Sequence, residues 1–228
     1  MSAYPWLDWT LPGGRYEADI DVLERMASAQ IPNVHLEART VRGMLRNEAR
    51  KLILEAYDLV FLDESGCNTN MTRRYAYSLG GSRAVDSALL SKPRNTTILS
   101  SIQSDGTLHY TTFSGGTTVE HFKQYLKDIL LPHLNSNSVL VMDNMKSHHA
   151  KSVKDLLDSS GVRYIYLPPY SPDLNPIEKL WSKVKAFLRK FKARTLDALP
   201  NAIRQAFQMI SPSDCSGWFR SCNYSLYF

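Results

Sequence analysis

Two short apolar runs, each followed by an aspartate, constrain the fold of this chain more than any other feature. Asp58–Asp63 and Ser138–Asp143 each carry four consecutive apolar residues before the final acid. A run of this length is typical of a strand that is buried on both faces. In an open α/β sheet, ligand sites gather at the carboxyl ends of such strands. We therefore expect the two aspartates to lie close together, at the end of each strand.

The pattern that follows residue 57 predicts an α/β domain. Strands are predicted at Thr96–Gln103, Thr107–Phe113 and Val162–Leu167, the first two joined as a hairpin by the turn residues between them. Helical spacing predicts helices at Thr118–Leu130 and Lys151–Ser160, and a third that begins at Pro176. A hairpin followed by strand–helix units predicts a mixed five-stranded sheet flanked by helices, which is the order of an RNase H-like fold.

The first 56 residues have a different character, and we treat 1–56 and 57–228 as separate parts of the chain. Prolines and glycines mark an irregular start. Helices are predicted near Tyr16–Ala29 and Val34–Tyr57. The segment carries several acids and no basic recognition helix, so the sequence predicts no helix-turn-helix here.

Glu178 offers a third carboxylate, because it stands at the third predicted helical position after a proline-rich loop. Together with Asp63 and Asp143 it would supply oxygen ligands of the kind that Mg²⁺ and Mn²⁺ prefer. Each acid also has a purely structural interpretation. An aspartate after a strand is often a turn residue, and Glu178 could complete a capping box with Asn175. Glu64 should point to the opposite face of its strand from Asp63, so we assign it a structural role.

The charge distribution is compatible with a polyanionic partner. The chain has a formal net charge of +5, and the stretch from Lys179 to Arg194 contains seven basic residues and no acid. Such a run is either a solvated helix face or a surface for phosphates. No apolar run is long enough for a membrane span, and the three cysteines form no CxxC pair that would indicate zinc. A reduced, cytoplasmic protein is expected.

Three blocks resemble the catalytic blocks of the mariner superfamily of DDE transposases, most closely its bacterial insertion-sequence branch. They are Val60–Gly66, Val141–His148 and Leu167–Glu178, and 34 residues lie between Asp143 and Glu178, as is typical of that superfamily. Asn68–Tyr75 and Ala193–Leu199 also match the bacterial branch. The resemblance covers about residues 57 to 224.

The resemblance implies an enzyme that cleaves DNA strands and transfers them in cut-and-paste transposition. By the same resemblance Asp63, Asp143 and Glu178 form the metal-binding triad, holding two Mg²⁺ ions for which Mn²⁺ substitutes. The implied partners are double-stranded DNA, as transposon ends and target, and a second copy of the chain in a homodimer on DNA. The implied location is the bacterial nucleoid.

Several further residues are candidates for supporting roles. Asn144 and His148 match the family's Asp-Asn…His pattern, and His148 is expected either to orient a carboxylate, to contact a phosphate, or simply to begin a helix. Basic side chains recur on the side of the last helix that carries Glu178, which favours contact with DNA phosphates. The DNA-contact candidates are Lys185, Arg189 and Lys192 on that helix, and Arg73, Arg74 and Tyr75 after the first strand.

Two other functions remain open on sequence grounds. One is an RNase H-like nuclease that selects DNA by its structure, which would cleave without strand transfer. The other is a non-catalytic DNA-binding or regulatory remnant of a transposase, which would bind DNA without Mg²⁺ and cleave nothing.

Overall fold

The computed structural model describes residues 15–16, 58–73, 75–87, 93–167 and 171–224. Their strands form one mixed sheet in the spatial order β1-β6-β5-β2-β3-β4. In chain order the strands are β1 (Arg15–Tyr16), β2 (Asp58–Asn68), β3 (Asn95–Ile102), β4 (Leu108–Ser114), β5 (Ser138–Met142) and β6 (Arg163–Tyr166).

The helices are α1 (Val119–Tyr125), α2 (Lys151–Ser160), α3 (Ile177–Phe191), α4 (Ala198–Gln208) and α5 (Pro212–Ser221). α1 continues into a π-helical turn, Leu126–Leu130, and then a short 3₁₀ turn, Leu131–His133. α2 ends where Gly161 adopts a φ of 72°, which favours glycine.

β2 and β5 form the centre of the sheet. They pair in parallel, while β2 pairs antiparallel with β3 on its other side. All five residues of β5 are buried, because this strand lies between β2 and β6 with helices on both faces of the sheet. β4 lies at one edge and is mostly half-buried.

Alternating residues of the central strands divide the core into two layers. Phe61 and Val141 pack towards Leu180, Trp181 and other apolar residues of α3, α4 and α5, and we call this side the α3 face. Neighbouring residues of the same strands pack on the opposite side against Phe122, Leu126, Val153 and Leu157. We call that side the α1/α2 face.

The predicted order of five strands and three helices is confirmed, with three differences. β2 does not end at Asp63 but continues to Asn68, because β3 keeps pairing with it after β5 has ended. Tyr16 lies in β1, which pairs in parallel with β6, and not in a helix. α4 and α5 were not predicted as separate helices. The rest of the two predicted N-terminal helices lies outside the described residues.

Within the described ranges, no helix combines the length and the apolar character that crossing a membrane requires.

Candidate active site

Asp63 and Asp143 lie on neighbouring parallel strands. Leu62 of β2 pairs with Met142 of β5, so each aspartate is the residue that follows this last pair. Asp143 comes directly after the end of β5, as predicted, whereas Asp63 lies within β2. The prediction that Asp63 ends its strand was wrong, and so was its interpretation as a turn residue. The expected proximity of the two acids follows instead from the register.

Asp63 is held by Trp181, which projects from α3. The indole Nε1–H donates to Asp63 Oδ2 at 2.9 Å, and the Asp63 residue is only 7% exposed. Burial raises the pKa of Asp63 from 3.8 to about 7, against the lowering effect of the Trp181 bond and a backbone bond from Glu64. The negative charges of Asp143 and Glu64 contribute smaller parts of the same rise in the pKa. A cation near Asp63 would reverse that balance and favour the ionised carboxylate.

Glu178 is the second residue of α3 and is exposed. Trp181 follows it by three positions, so the two side chains lie on the same side of the helix, with Cβ atoms about 5–6 Å apart in such pairs. The capping box with Asn175 is not formed: the helix has no side-chain cap, and the Glu178 amide donates to the Asn175 carbonyl at 3.2 Å. The capping interpretation of Glu178 was therefore wrong.

A second group of acids lies around His148, on the α1/α2 face. The His148 side chain is fully buried and stacks on Phe122, with ring centroids 4.3 Å apart. Its Nε2–H donates to Glu64 Oε1 at 3.1 Å. Its Nδ1–H donates to the Asp143 carbonyl oxygen at 3.2 Å, and Nδ1 lies 2.9 Å from Asp143 Oδ1 as an ion pair. Of the three possible roles predicted for His148, the geometry agrees with the orientation of a carboxylate.

His148 is protonated at neutral pH. Burial alone would lower its pKa, but hydrogen bonds to Asp143 and Glu64, and the two negative charges, raise the pKa to about 10. Glu64, Asp143 and His148 offer ligand atoms that lie within 4.8 Å of one another. They do not form a metal site as they stand, because each carboxylate contacts a different ring nitrogen and the lone pairs of those nitrogens diverge. We interpret the group as an acid–imidazolium–acid cluster.

The two aspartates fit the metal that the family resemblance implies. Asp143 Oδ1 already accepts from the Met145 amide at 3.2 Å and from His148. Its Oδ2 has no hydrogen-bond partner in the described part of the chain. Asp63 Oδ2 in turn is held by the indole. Two adjacent carboxylates, one of them buried and reluctant to ionise, are hard oxygen donors suited to Mg²⁺ or Mn²⁺.

The residues beside Asp143 also contact one another. Asn144 is exposed, and its side-chain oxygen is hydrogen-bonded to His149 Nε2. His149 is half-buried and stacks on Tyr166, with ring centroids 4.1 Å apart. Asn144 therefore helps to close the loop after β5, and no contact joins it directly to Asp63 or Glu178 within the described residues.

The basic candidates lie along the second half of α3. Arg189 and Arg73 line a common groove of about 980 Å³, together with Lys183, Lys190 and the aromatic side chains of Tyr75, Phe187 and Phe191. Tyr75 is 88% exposed. Lys185 does not line the groove; it lies near Cys67, where its charge lowers a thiol pKa that burial raises to about 11. Lys192 caps α3 and bonds to Asp86. Arg74 lies outside the described residues.

Sequence reasoning missed two functional contacts. Trp181 was not among the predicted site residues, and Glu64 was assigned only a structural role. The alternation of β2 correctly predicted that Glu64 points away from Asp63, but not that it meets His148 there. Both contacts join residues more than 80 positions apart. A polar atom on an otherwise buried side chain, such as the indole N–H, was the available signal.

Comparisons with known proteins identify the family of this chain. A family model described as "DDE superfamily endonuclease" matches residues 58–200. The Tc1 transposase of Caenorhabditis elegans is 29% identical over 92 residues, which are 40% of this chain and 34% of that protein. The matched stretch is thus about a third of the length of that relative.

Two solved structures match most of the chain. The Mos1 transposase paired-end complex with the left transposon end has a TM-score of 0.65 and 17% identity, covering 87% of this chain and 66% of that one. The Mos1 mariner paired-end complex with Mn has a TM-score of 0.61 and 18% identity, covering 87% and 67%. The likeness confirms the RNase H-like fold. Since the family model spans more than half of the chain, this protein belongs to the DDE superfamily of endonucleases.

Proposed function

We propose that this chain is the catalytic domain of a mariner-type transposase, which cleaves DNA strands and transfers them at a site formed by Asp63, Asp143 and Glu178. The observation that carries the proposal is the parallel register of β2 and β5, which makes Asp63 and Asp143 neighbours on adjacent strands, with Trp181 of α3 bonded to Asp63. Membership of the DDE endonucleases supports it, as do the similar transposases.

Asp63, Asp143 and Glu178 would hold the divalent metal, with Mg²⁺ as the ion and Mn²⁺ as its substitute. The solved paired-end complex that contains Mn belongs to a protein of the same fold. When bound, two such ions activate an attacking oxygen and stabilise the leaving oxygen of a phosphodiester. The protein's own part is to fix the carboxylates: Trp181 orients Asp63, and His148 and the Met145 amide orient Asp143.

The same residues would serve two successive in-line displacements. In the first, water attacks a phosphodiester at the transposon end and releases a 3′-hydroxyl. In the second, that hydroxyl attacks the target strand. Neither step requires a covalent bond to the protein, so Ser, Cys and Tyr side chains need no catalytic role. The buried surroundings of Asp63 would exclude water from one side of the reacting phosphate.

The basic side of α3 would position the DNA. Lys185, Arg189 and Lys192 follow Glu178 along the helix, and Arg73 faces Arg189 across the groove. Such cations contact phosphates without reading sequence. Arg74 and Asn144 stay predictions of the same kind. By analogy with the Mos1 paired-end complex with the left transposon end, the partners would include transposon ends. Target DNA and binding as a homodimer are what the family resemblance implies.

The finer assignment to the bacterial insertion-sequence branch, with action in the cytoplasm at the nucleoid, is part of the same proposal. It is supported by the motif sequences at Asn68–Tyr75 and Ala193–Leu199.

Strand joining would test the proposal and separate it from the other two functions. The purified chain is incubated with supercoiled plasmid and labelled duplex oligonucleotides carrying free 3′-hydroxyl ends, in Mg²⁺ or Mn²⁺. We expect nicked plasmid and labelled plasmid, both absent with Asp143→Asn or Glu178→Gln and present with the exposed control Asp155→Asn. Nicking without joining would favour the nuclease. DNA binding that ignores the metal, with neither product, would favour the remnant.

A further inference from the structure

The Glu64–His148 pair lies on the opposite face of the sheet from Asp63, and it contacts Asp143, the second proposed metal-binding aspartate. Glu64 is the residue after Asp63 in β2 and points to the α1/α2 face, where its side chain is 7% exposed. His148 lies five residues after Asp143 and its side chain is fully buried. The Tyr166 hydroxyl donates to the His148 carbonyl at 2.9 Å, and Phe122 stacks on the ring. The imidazole is therefore fixed in place.

Both ring nitrogens of His148 are engaged. Nε2 contacts Glu64 Oε1 at 3.1 Å, while Nδ1 contacts Asp143 Oδ1 at 2.9 Å and the Asp143 carbonyl at 3.2 Å. The Met145 amide adds a second donor to the same oxygen, Oδ1. Asp143 consequently has one oxygen with two donors, and one, Oδ2, without a partner among the described residues. A carboxylate fixed at one oxygen presents the other in a defined direction.

We propose that Glu64 and His148 are positioning residues that hold Asp143 by Oδ1, so that Oδ2 is presented to the metal beside Asp63. This inference rests on the proposed function, and it assigns no ligand role to Glu64 or His148. Outer-shell partners of metal ligands commonly work in this way, by fixing the orientation of the ligand. Glu64 in turn fixes the ring of His148, since an imidazole bonded at both nitrogens cannot rotate without breaking a bond.

The alternative is that Glu64, His148 and Asp143 themselves ligate the ion. Glu64 Oε2 is buried and has no hydrogen-bond partner in the described part of the chain, as an open ligand position would require. The ring geometry argues against it, because Asp143 and Glu64 contact different nitrogens of one imidazole. An ion bound to either nitrogen would lie on one side of the ring, away from the carboxylate on the other side.

Two substitutions of His148 separate its contacts. The amide nitrogen of asparagine can take the place of Nδ1, so His148→Asn retains a donor to Asp143 and loses the donor to Glu64. The amide nitrogen of glutamine can take the place of Nε2, so His148→Gln retains a donor to Glu64 and loses the one to Asp143. A role confined to core packing would make the two variants alike in metal affinity.

The experiment is Mn²⁺ binding to the full chain, measured by electron paramagnetic resonance without DNA. We expect His148→Gln to raise the Mn²⁺ dissociation constant roughly 10–100-fold, as for other outer-shell partners. His148→Asn and Glu64→Gln should weaken binding less, and the exposed control Asp155→Asn should not change it. Spin-echo modulation of bound Mn²⁺ should contain no directly coordinated nitrogen.

Equal affinity of wild type and His148→Gln, or a directly coordinated nitrogen that both His148 variants lose, would overturn the proposal. If His148→Gln does not fold in a thermal unfolding experiment, the double variant with Glu64→Gln removes the buried unpaired charge, and its affinity is compared with that of Glu64→Gln alone. A wild-type chain that binds Mn²⁺ and cleaves DNA, while His148→Gln binds Mn²⁺ with wild-type affinity, would refute the positioning role alone. A wild type that binds no Mn²⁺ would refute the proposed metal site together with it.

Discussion

Asp63 and Glu64 are consecutive acids in one strand, but the two faces of the sheet give them opposite surroundings. On the α3 face, Asp63 receives a neutral donor, the Trp181 indole, and its pKa rises to about 7 because it is buried beside other carboxylates. On the α1/α2 face, Glu64 receives a charged donor, because the pKa of His148 rises to about 10. Among the residues that the structure describes, no cation contacts Asp63, whereas Glu64 contacts the His148 imidazolium.

This difference shows how strand alternation assigns roles to acids that look equivalent in the sequence. Side chains of successive strand residues point to opposite faces, so the two acids cannot share a ligand site. A carboxylate without a protein cation is the one that gains most from a bound metal ion. A carboxylate already paired with an imidazolium is suited to hold that imidazolium. The comparison can be tested on each side of the sheet separately.

The largest effect on stability is expected on the Glu64 side. Replacing His148 by Ala leaves Glu64 buried without its cation, and removing one partner of a buried ion pair costs about 3–5 kcal/mol. The double variant Glu64→Gln/His148→Ala should recover part of this loss, because the unpaired charge is gone. Urea unfolding of wild type and the variants measures both values. If the double variant loses as much stability as His148→Ala, the loss in His148→Ala does not come from an unpaired Glu64 charge.

Removing the charge of Asp63 should stabilise the metal-free protein, whereas replacing His148 destabilises it. Its folded-state pKa of about 7 lies above the usual 3.8, so folding favours the protonated acid. The corresponding stability is fully present below about pH 4 and is lost as the pH rises through about 7. The free energy of unfolding of Asp63→Asn, relative to that of the wild type, should therefore rise by as much as roughly 4 kcal/mol between pH 4 and pH 8. Unfolding in chelator at both pH values checks this.

If the difference in free energy of unfolding between Asp63→Asn and wild type does not change across that pH range, the pKa of Asp63 is not raised in the folded protein. The exposed variant Asp155→Asn is the control, and its difference from wild type should not vary in the same way.

Trp181→Phe should have an intermediate effect on stability. The ring volume is largely kept, while the donor to Asp63 Oδ2 is lost, and a hydrogen bond to a charged group contributes about 1.5–3 kcal/mol. Since this bond lowers the pKa of Asp63, its removal should also raise the pH at which metal-free stability declines. Trp218→Phe, on α5, is the matched control because Trp218 packs against the same core. Indistinguishable pH profiles for the two variants would contradict the assignment.

The smallest effects are expected for the cations that follow Glu178 on α3. Lys185→Gln and Arg189→Gln should each reduce the slope of log affinity against log salt by about 1, as for the loss of one phosphate contact. Lys192→Gln should change the slope less, because Lys192 is paired with Asp86. Lys127→Gln, on the α1/α2 face, should leave it unchanged. Fluorescence anisotropy with duplex DNA at several salt concentrations measures these slopes. If Lys127→Gln reduces the slope as much as Lys185→Gln and Arg189→Gln do, the DNA does not bind specifically along α3.

Periodic features of the sequence predicted most of the fold. The apolar runs of β2 and β5 and the helical spacing around Leu180 and Val184 are repeated local signals, and the packing agrees with them. The predicted end of β2 was wrong because the last residues of the strand depend on pairing with β3, which no local pattern in β2 encodes. β1 was missed for the same reason, since two residues become a strand only by pairing with β6.

The three acids could be proposed from the sequence, but their surroundings could not. In the sequence, Trp181 looks like any other apolar residue of α3, and only the packing of α3 on β2 brings its N–H to Asp63. The capping box predicted for Asn175 and Glu178 failed because the chain enters the helix through a 3₁₀ turn, Pro172–Leu174, and α3 begins at Ile177. Long-range contacts of single polar atoms have no periodic signature.

The most direct test of the account compares Asp63→Asn with Glu64→Gln in the nicking of supercoiled plasmid in Mg²⁺. Both substitutions keep the shape of the side chain and remove one negative charge from adjacent positions of the same strand. We expect Asp63→Asn to slow nicking by about 1000-fold or more, since metal-ion catalysis contributes several kcal/mol. Glu64→Gln should slow it far less, by about 10-fold, which is the lower end of the range for a residue that acts through a ligand. Equal losses, or a larger loss for Glu64→Gln, would contradict the assignment of Asp63 to the metal and of Glu64 to the support of His148.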